Sequence, residues 1–311
     1  GYKLLNVLFI AEDTSRLLNK TYYYLEKELA KNVNLLIWRK PGHIQSILSK
    51  IKQKPDFILL LNDIDRNFYP VIEGLFSINI PVGLCVDDVH RFTKIRKSYV
   101  IKQKIPYLFT VSRDTFLKLY PDFQHKMIWS PHFVQPDIFR DYKQKKDIDL
   151  LLMGAVNDYY PLRQKILAAY KGDPSFVYHQ HPGYKPISGK KEGAEYLIEQ
   201  RYAQEINRAS IFFTCPSIYN YPVMKYFEAL AAKSLLLAPT FPELEDLGFQ
   251  PGKHFVSIDA TNFQEKASYY LLKDKERQKI TEQGYRFIHQ THTVQKRVKE
   301  LVKTMENIIR S

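Results

Sequence analysis

SIFFTCPSIYNYPVMKYFEALAAKSLLLAP, residues 210–239, alternates two kinds of segment, and that alternation decides the fold. Residues 210–214 are a short apolar run that reads as a buried strand. Pro216, Ser217, Asn220 and Pro222 make a polar loop. Residues 223–232 read as a helix, and residues 235–238 as a second buried strand. Strand, loop, helix and strand are the repeating unit of a parallel sheet. The helix starts on the C-terminal side of the first strand, where open α/β sheets bind ligands. Free N–H groups and the helix dipole attract phosphate at such an end, so the amides near Val223 are of interest. Lys225 falls in the first turn and Glu228 three residues on, so the two share a face. A cation suits phosphate and a carboxylate suits sugar hydroxyls. The same spacing also suits a core helix with two solvated charges.

Upstream, residues 148–154 form a buried strand ending in Gly154. Glycine after a strand lets a ligand or another backbone come close. Pro161 is placed for a first helical position, with Arg163 in the first turn. Residues 176–183 read as a short strand running into a loop. His179 and His181 are two apart and share a face on a strand. No third ligand stands near them, so they suit hydrogen bonding or stacking to a ligand, or a plain surface loop, rather than a metal. Residues 186–193 are a basic loop and 194–209 a helix. Downstream, the sequence predicts a turn at 243–248, a strand at 254–258, and helices at 262–273 and 275–287. A long amphipathic helix at 294–309 carries Val294, Val298, Leu301, Val302, Met305, Ile308 and Ile309 at helical spacing.

The N-terminal half repeats the alternation. Strands are expected at 4–11, 33–38, 57–61, 82–86, 108–112 and 127–130. Helices are expected from about 15 to 31, capped by Thr14 or Ser15, and at 44–52, 68–77 and 113–120. The fourth strand runs into Asp87, Asp88, Val89 and His90. Carboxylates and a histidine at a strand's C-terminal end stand where a site is expected. Histidine titrates near neutrality and serves as base or donor. A helix-capping Asp beside a surface His fits the same residues. The charged stretch 140–147 lacks apolar periodicity and reads as a linker between two βα series.

The 311 residues are enough for two domains, and 45% apolar content is ample for buried cores. No run approaches the roughly 18 apolar residues of a membrane span. The opening residues read as a strand rather than as a signal peptide. Cys85 and Cys215 have no closely spaced metal-site partners and read as free thiols of a reducing compartment. The expected location is therefore cytoplasmic, or peripheral at the inner face of a membrane. A net charge of +13 favours acidic partners. No zinc-finger spacing or RNA-binding aromatic motif appears, so no specific nucleic acid is expected. An anionic substrate or an anionic membrane surface fits the charge better.

In order along the chain stand Asp149–Gly154 with Tyr160–Arg163, the block 225–238 (KYFEALAAKSLLLA), 252–256 (GKHFV) and 289–297 (HQTHTVQKR). With Asp87–His90 and 109–112 in the first half, these resemble GT-B glycosyltransferases of the group 1 superfamily, in their CgeB-like (spore maturation protein) branch. The resemblance covers nearly the whole chain. It implies an α/β fold of two facing Rossmann-like domains with parallel sheets, and a C-terminal helix returning to the first domain. The domains would be 1–143 on the acceptor side, 147–288 on the nucleotide-sugar side, and 289–311 as the returning helix. It further implies a nucleoside-diphosphate sugar, UDP- or GDP-linked, as donor, and a carbohydrate, protein or lipid-linked acceptor. Glu228 would hold the ribose hydroxyls. Lys225 and the amides near Val223 would face the diphosphate, with Gly154 giving close approach, Arg163 helping, and Ser217 and Asn220 in the adjoining loop. His181 would lie near the base. Asp88 and His90 would act at the acceptor or reacting sugar, and no metal or other cofactor would be required.

Two positions depart from the family pattern. Many group 1 enzymes carry a second glutamate where this chain has Asn220, which hydrogen-bonds a sugar without charge. The usual glycine after the Glu-Ala helix is Lys233. A catalytically silent nucleotide- or carbohydrate-binding protein on the same fold remains the alternative, since fold does not fix function.

Overall fold

The computed structural model describes residues 3–17, 19–61, 71–180 and 194–311, the first five of the last range by backbone only. The chain forms two compact units. Residues 1–15, 19–131 and 294–311 make unit 1, and 16–18 with 132–293 make unit 2.

Unit 1 holds β1 (Asn6–Ile10), α1 (Thr21–Asn32), β2 (Asn34–Trp38), β3 (Gly42–His43), α2 (Ile44–Lys50), β4 (Phe57–Leu61) and β5 (Ile72–Glu73). It continues through β6 (Val82–Val86), α3 (Thr93–Gln103), β7 (Tyr107–Thr110), α4 (Asp114–Leu119) and β8 (Met127–Trp129). Among the described residues, β2-β1-β4-β6-β7-β8 form one parallel sheet, and β3 pairs with β5. β4 and β6 are buried along their whole length, which is why they read as unbroken apolar runs. Leu8, Ile58, Leu84, Val100 and Phe116 stand in one core on one side of that sheet.

Unit 2 holds β9 (Ile148–Met153), α5 (Pro161–Ala169), β10 (Phe176–His179), α6 (Ala194–Arg208), β11 (Ala209–Phe213) and α7 (Met224–Ala231). Then come β12 (Leu235–Ala238), α8 (Pro242–Asp246), β13 (Val256–Ser257), α9 (Phe263–Leu272) and α10 (Asp274–Thr291). Its parallel sheet runs β10-β9-β11-β12-β13. In order of appearance that is 2-1-3-4-5, so the strand order reverses between β9 and β11. Ligands of doubly wound sheets bind outside the strand ends at that reversal. The last helix, α11 (Val294–Arg310), belongs to unit 1 and lies against α1. Its Val294, Val298, Leu301 and Met305 are buried on one stripe, and the Arg297 guanidinium donates to the Pro131 carbonyl at 2.8 Å. Among the described residues, no helix is long and apolar enough to cross a membrane.

Four local expectations are corrected. Residues 68–77 are not one helix: among those described, β5 is followed by Gly74 at φ +80° and a 3-10 turn at Leu75–Ser77. The His43 ring lies 2.3 Å from where a Cβ on Gly74 would sit, so glycine is required at this break. The first helix begins at Thr21 rather than after Ser15, with the Asn19 side chain accepting from the Thr21 amide at 3.0 Å. The turn at 243–248 is the short helix α8, opened by Pro242. The strand at 254–258 shrinks to β13, because the Gly252 amide donates back to the Phe255 carbonyl at 2.7 Å and closes a turn.

Candidate functional site

Gly154 directly follows β9 with φ +112°, a conformation that side-chain-bearing residues rarely adopt. A Cβ placed there would stand 2.7 Å from Lys225 Cε, 3.2 Å from Lys225 Nζ and 3.1 Å from Arg163 Nη1. The strand end therefore brings two cations from two different helices against one bare backbone. Arg163 is 2% exposed. Its Nη1 donates to the Ala155 carbonyl at 3.1 Å and its Nη2 to the Cys215 carbonyl at 3.3 Å. Its guanidinium lies 3.7 Å from the centre of the Tyr160 ring. One arginine thus ties the loop after β9 to the loop after β11, at the strand-order reversal. The Tyr178 hydroxyl donates to the Gly154 carbonyl at 3.0 Å and holds that loop from the neighbouring strand.

Lys225 is the second residue of α7, whose preceding residue Val223 supplies no side-chain cap. The positive end of the helix dipole, Arg163 and a half-buried Lys225 converge on one point. Burial pulls the Lys225 ammonium down to about 8; Glu228 opposes that shift and Arg163 adds to it. Burial pushes the Glu228 carboxyl up, against the pull of Lys225 and of a hydrogen bond from the Tyr202 hydroxyl at 3.0 Å. Tyr202 stands on α6, and its ring packs edge-on against Phe139 at 5.8 Å. The arrangement is electropositive and suits an anion beside a carboxylate that accepts hydroxyl hydrogen bonds.

The loop between β11 and α7 is braced from within. The buried Ser217 hydroxyl accepts from the Tyr219 amide at 3.2 Å, and its carbonyl accepts from the Asn220 amide at 2.9 Å. Asn220 is exposed at φ +56°, a left-handed position that asparagine tolerates far better than glutamate. The Ile218 amide donates to the Tyr159 carbonyl at 2.9 Å, and the Tyr159 and Tyr219 rings stack with centres 6.3 Å apart. Tyr159 is half exposed, so the rim carries an aromatic face.

Gly154, Arg163, Lys225, Glu228, Ser217, Asn220 and Val223 therefore cluster around the ends of β9 and β11 and the start of α7. His181 lies outside the described residues. Asp88 and His90 belong to unit 1, just after β6. Burial lowers the His90 pKa, with Arg91 and Arg96 adding to the fall and Asp88 opposing it. Asp88 pairs with Arg91 at 3.8 Å. The strand order of unit 1 reverses between β1 and β4, one strand away from this loop. Sequence spacing puts Tyr202 on the Ile206 face of the helix expected at 194–209 without marking it as a site residue, and nothing local marks Tyr178.

Residues 136–303 match the model of a family described as glycosyl transferase-like. No curated protein matches the chain significantly. Among solved structures, HepE of Anabaena, in complex with UDP and glucose, is 7% identical with a TM-score of 0.62, over 97% of this chain and 100% of that one. The sucrose-phosphate synthase of Thermosynechococcus elongatus is 10% identical with a TM-score of 0.66, over 98% and 99%. A glycosyltransferase of Rickettsia africae is 11% identical with a TM-score of 0.59, over the whole of both chains. These likenesses show the fold, that of GT-B enzymes with two parallel-sheet domains.

Proposed function

This chain belongs to the glycosyl transferase-like family, and we propose that it moves a hexose from UDP to an acceptor hydroxyl without a metal ion. One observation carries the reading: Lys225 and Arg163 meet at Gly154, at the strand-order reversal and the uncapped start of α7. The diphosphate binds there, its charge met by the two cations and the helix amides. Glu228, oriented by Tyr202, accepts from the ribose hydroxyls. The half-exposed Tyr159, backed by Tyr219, stacks on a sugar ring. As the donor bond breaks, the same cations stabilise the departing diphosphate. His90, kept neutral by burial, takes the proton of the acceptor hydroxyl, and Asp88 orients it.

Incubation with UDP-glucose, UDP-N-acetylglucosamine and GDP-mannose, each with and without chelator, tests this by release of the nucleoside diphosphate. Slow release from a UDP-sugar, unaffected by chelator and lost in Glu228→Ala, is expected. His90→Ala should lower turnover and leave UDP binding intact. Release from the GDP-sugar alone, or dependence on added metal, contradicts the donor or the metal assignment. Asn220, uncharged where many relatives have a glutamate, favours one second reading, a binder without turnover. Saturable UDP binding with no release from any donor would establish it.

A further inference from the structure

Arg96, in the first turn of α3, is 0% exposed, and so is Tyr120, which follows α4. Burying a guanidinium is costly unless a carboxylate or a full set of hydrogen bonds meets it. Among the described residues no carboxylate pairs with Arg96, and its Nε and Nη2 make no hydrogen bond. An aliphatic side chain would fill the same space without that penalty. The bonds that Arg96 does make all run through Nη1. It donates to the Arg91 carbonyl at 2.7 Å and to the Tyr120 hydroxyl at 2.6 Å. That hydroxyl donates in turn to the Val89 carbonyl at 2.8 Å. The pair therefore grips the backbone on both sides of one residue, His90.

The loop around His90 is fixed at further points. The Arg91 amide donates to the Asp88 carbonyl at 3.2 Å and closes a turn, and the Val89 side chain is buried in the core of unit 1. Phe92 then enters α3 at φ +54°, a left-handed conformation that costs a bulky residue energy and persists where its surroundings enforce it. His90 itself stays half-buried at the end of β6. We propose that Arg96 and Tyr120 are positioning residues for His90: from the buried side they hold the Val89 and Arg91 carbonyls, and so fix the imidazole where the acceptor hydroxyl must meet it. This rests on the reading of His90 as the base of the transfer. The clamp also bears on the charge of His90. Burial lowers the His90 pKa, and Arg91 on its own loop and Arg96 from α3 add to the fall, against Asp88. Tyr120 stays protonated, because burial pushes its hydroxyl up.

Tyr120→Phe tests it in the full chain, because it removes one hydroxyl and keeps both the Arg96 charge and the ring that stacks on Phe116 and Phe123. Tyr99→Phe is the control: on the same helix it loses a hydroxyl bond to the Ile72 carbonyl, away from His90. His90 is titrated by NMR with ring-labelled histidine, its signal assigned from His90→Ala, and turnover is read as UDP release from UDP-glucose. In Tyr120→Phe the His90 pKa should move up toward the ordinary histidine range, as the loosened ring meets water. Its kcat should fall about tenfold or more, with UDP affinity unchanged. Added to His90→Ala, the same substitution should slow turnover no further. Tyr99→Phe should change neither the titration nor kcat. Arg96→Met, which removes the charge as well, should raise the His90 pKa further. An unmoved His90 titration in Tyr120→Phe, or an equal change in Tyr99→Phe, overturns the proposal, and this readout needs no turnover. A shifted titration with parent turnover in His90→Ala overturns the base instead and leaves the clamp standing.

Discussion

Lys225 is held in surroundings that disfavour its charge: half buried, beside Arg163, at the positive end of α7. Such a cation is stabilised when an anion arrives. With its pKa drawn down to about 8 against 10.5 for a free lysine, the folded chain sheds this proton first as pH rises. Between those two values the unfolded chain binds more protons, so the Lys225 contribution makes stability rise with pH. UDP affinity should run the other way: flat below about pH 8, falling above it, with proton uptake on binding at alkaline pH. Calorimetry in buffers of different ionisation enthalpy reads that uptake, and Lys225→Arg should abolish it. Glu228 gives a complementary test. Its pKa is raised by burial, so its contribution to stability is present at low pH and is lost as pH rises through the raised value. Glu228→Gln should therefore raise the melting temperature of the free protein at neutral pH and shrink the shift produced by UDP. A drop in both would make Glu228 a structural residue.

At the scale of elements, the C-terminal end of α7 explains the lysine at position 233. Lys233 follows α7 at φ +62°, with the Ser234 amide donating to the Ala229 carbonyl at 3.1 Å and the Lys233 amide to the Leu230 carbonyl at 3.1 Å. This is the left-handed helix end where glycine is usual. The lysine is held by Asp141 at 3.3 Å and Glu282 at 2.9 Å, which anchor the charged stretch 140–147 and α10. Lys233→Ala keeps the strain and loses the pairs, whereas Lys233→Gly loses only the pairs. The glycine variant should be the more stable by about 1–2 kcal/mol in urea unfolding. Gly284 on α10 is constrained differently: a Cβ would meet the His254 carbonyl oxygen at 2.4 Å and Leu230 Cγ at 3.1 Å. Gly284→Ala should cost about 1–3 kcal/mol by forcing α10 off its neighbours. The elements themselves were legible, because parallel strands buried on both faces appear as apolar runs such as 57–61 and 235–238. The break at Gly74 was not, since it depends on the His43 ring, distant in sequence.

At the scale of the molecule, strand order matters most, and it was invisible in the chain. Apolar runs of similar length pair equally well in several orders. The order β10-β9-β11-β12-β13 puts the ends of β9 and β11 side by side, and only then can Arg163 tie their loops. Helical spacing alone puts Lys225 and Glu228 on one face, and only the resemblance joined Gly154 and Arg163 to them; their meeting is a product of topology. Tyr202 joined them only because α6 packs beside α7. The central claim is that this meeting point in unit 2 binds a nucleoside diphosphate. Titration calorimetry of UDP into the full chain tests it most directly, with Glu228→Ala and Gly154→Ala alongside. The account predicts saturable one-site binding to the parent chain, weakened at least about tenfold by Glu228→Ala through loss of the ribose hydrogen bonds. It predicts no measurable binding to Gly154→Ala, whose Cβ fills the space against Lys225 and Arg163. Failure of UDP to saturate the parent chain, or equal binding by all three proteins, would contradict it.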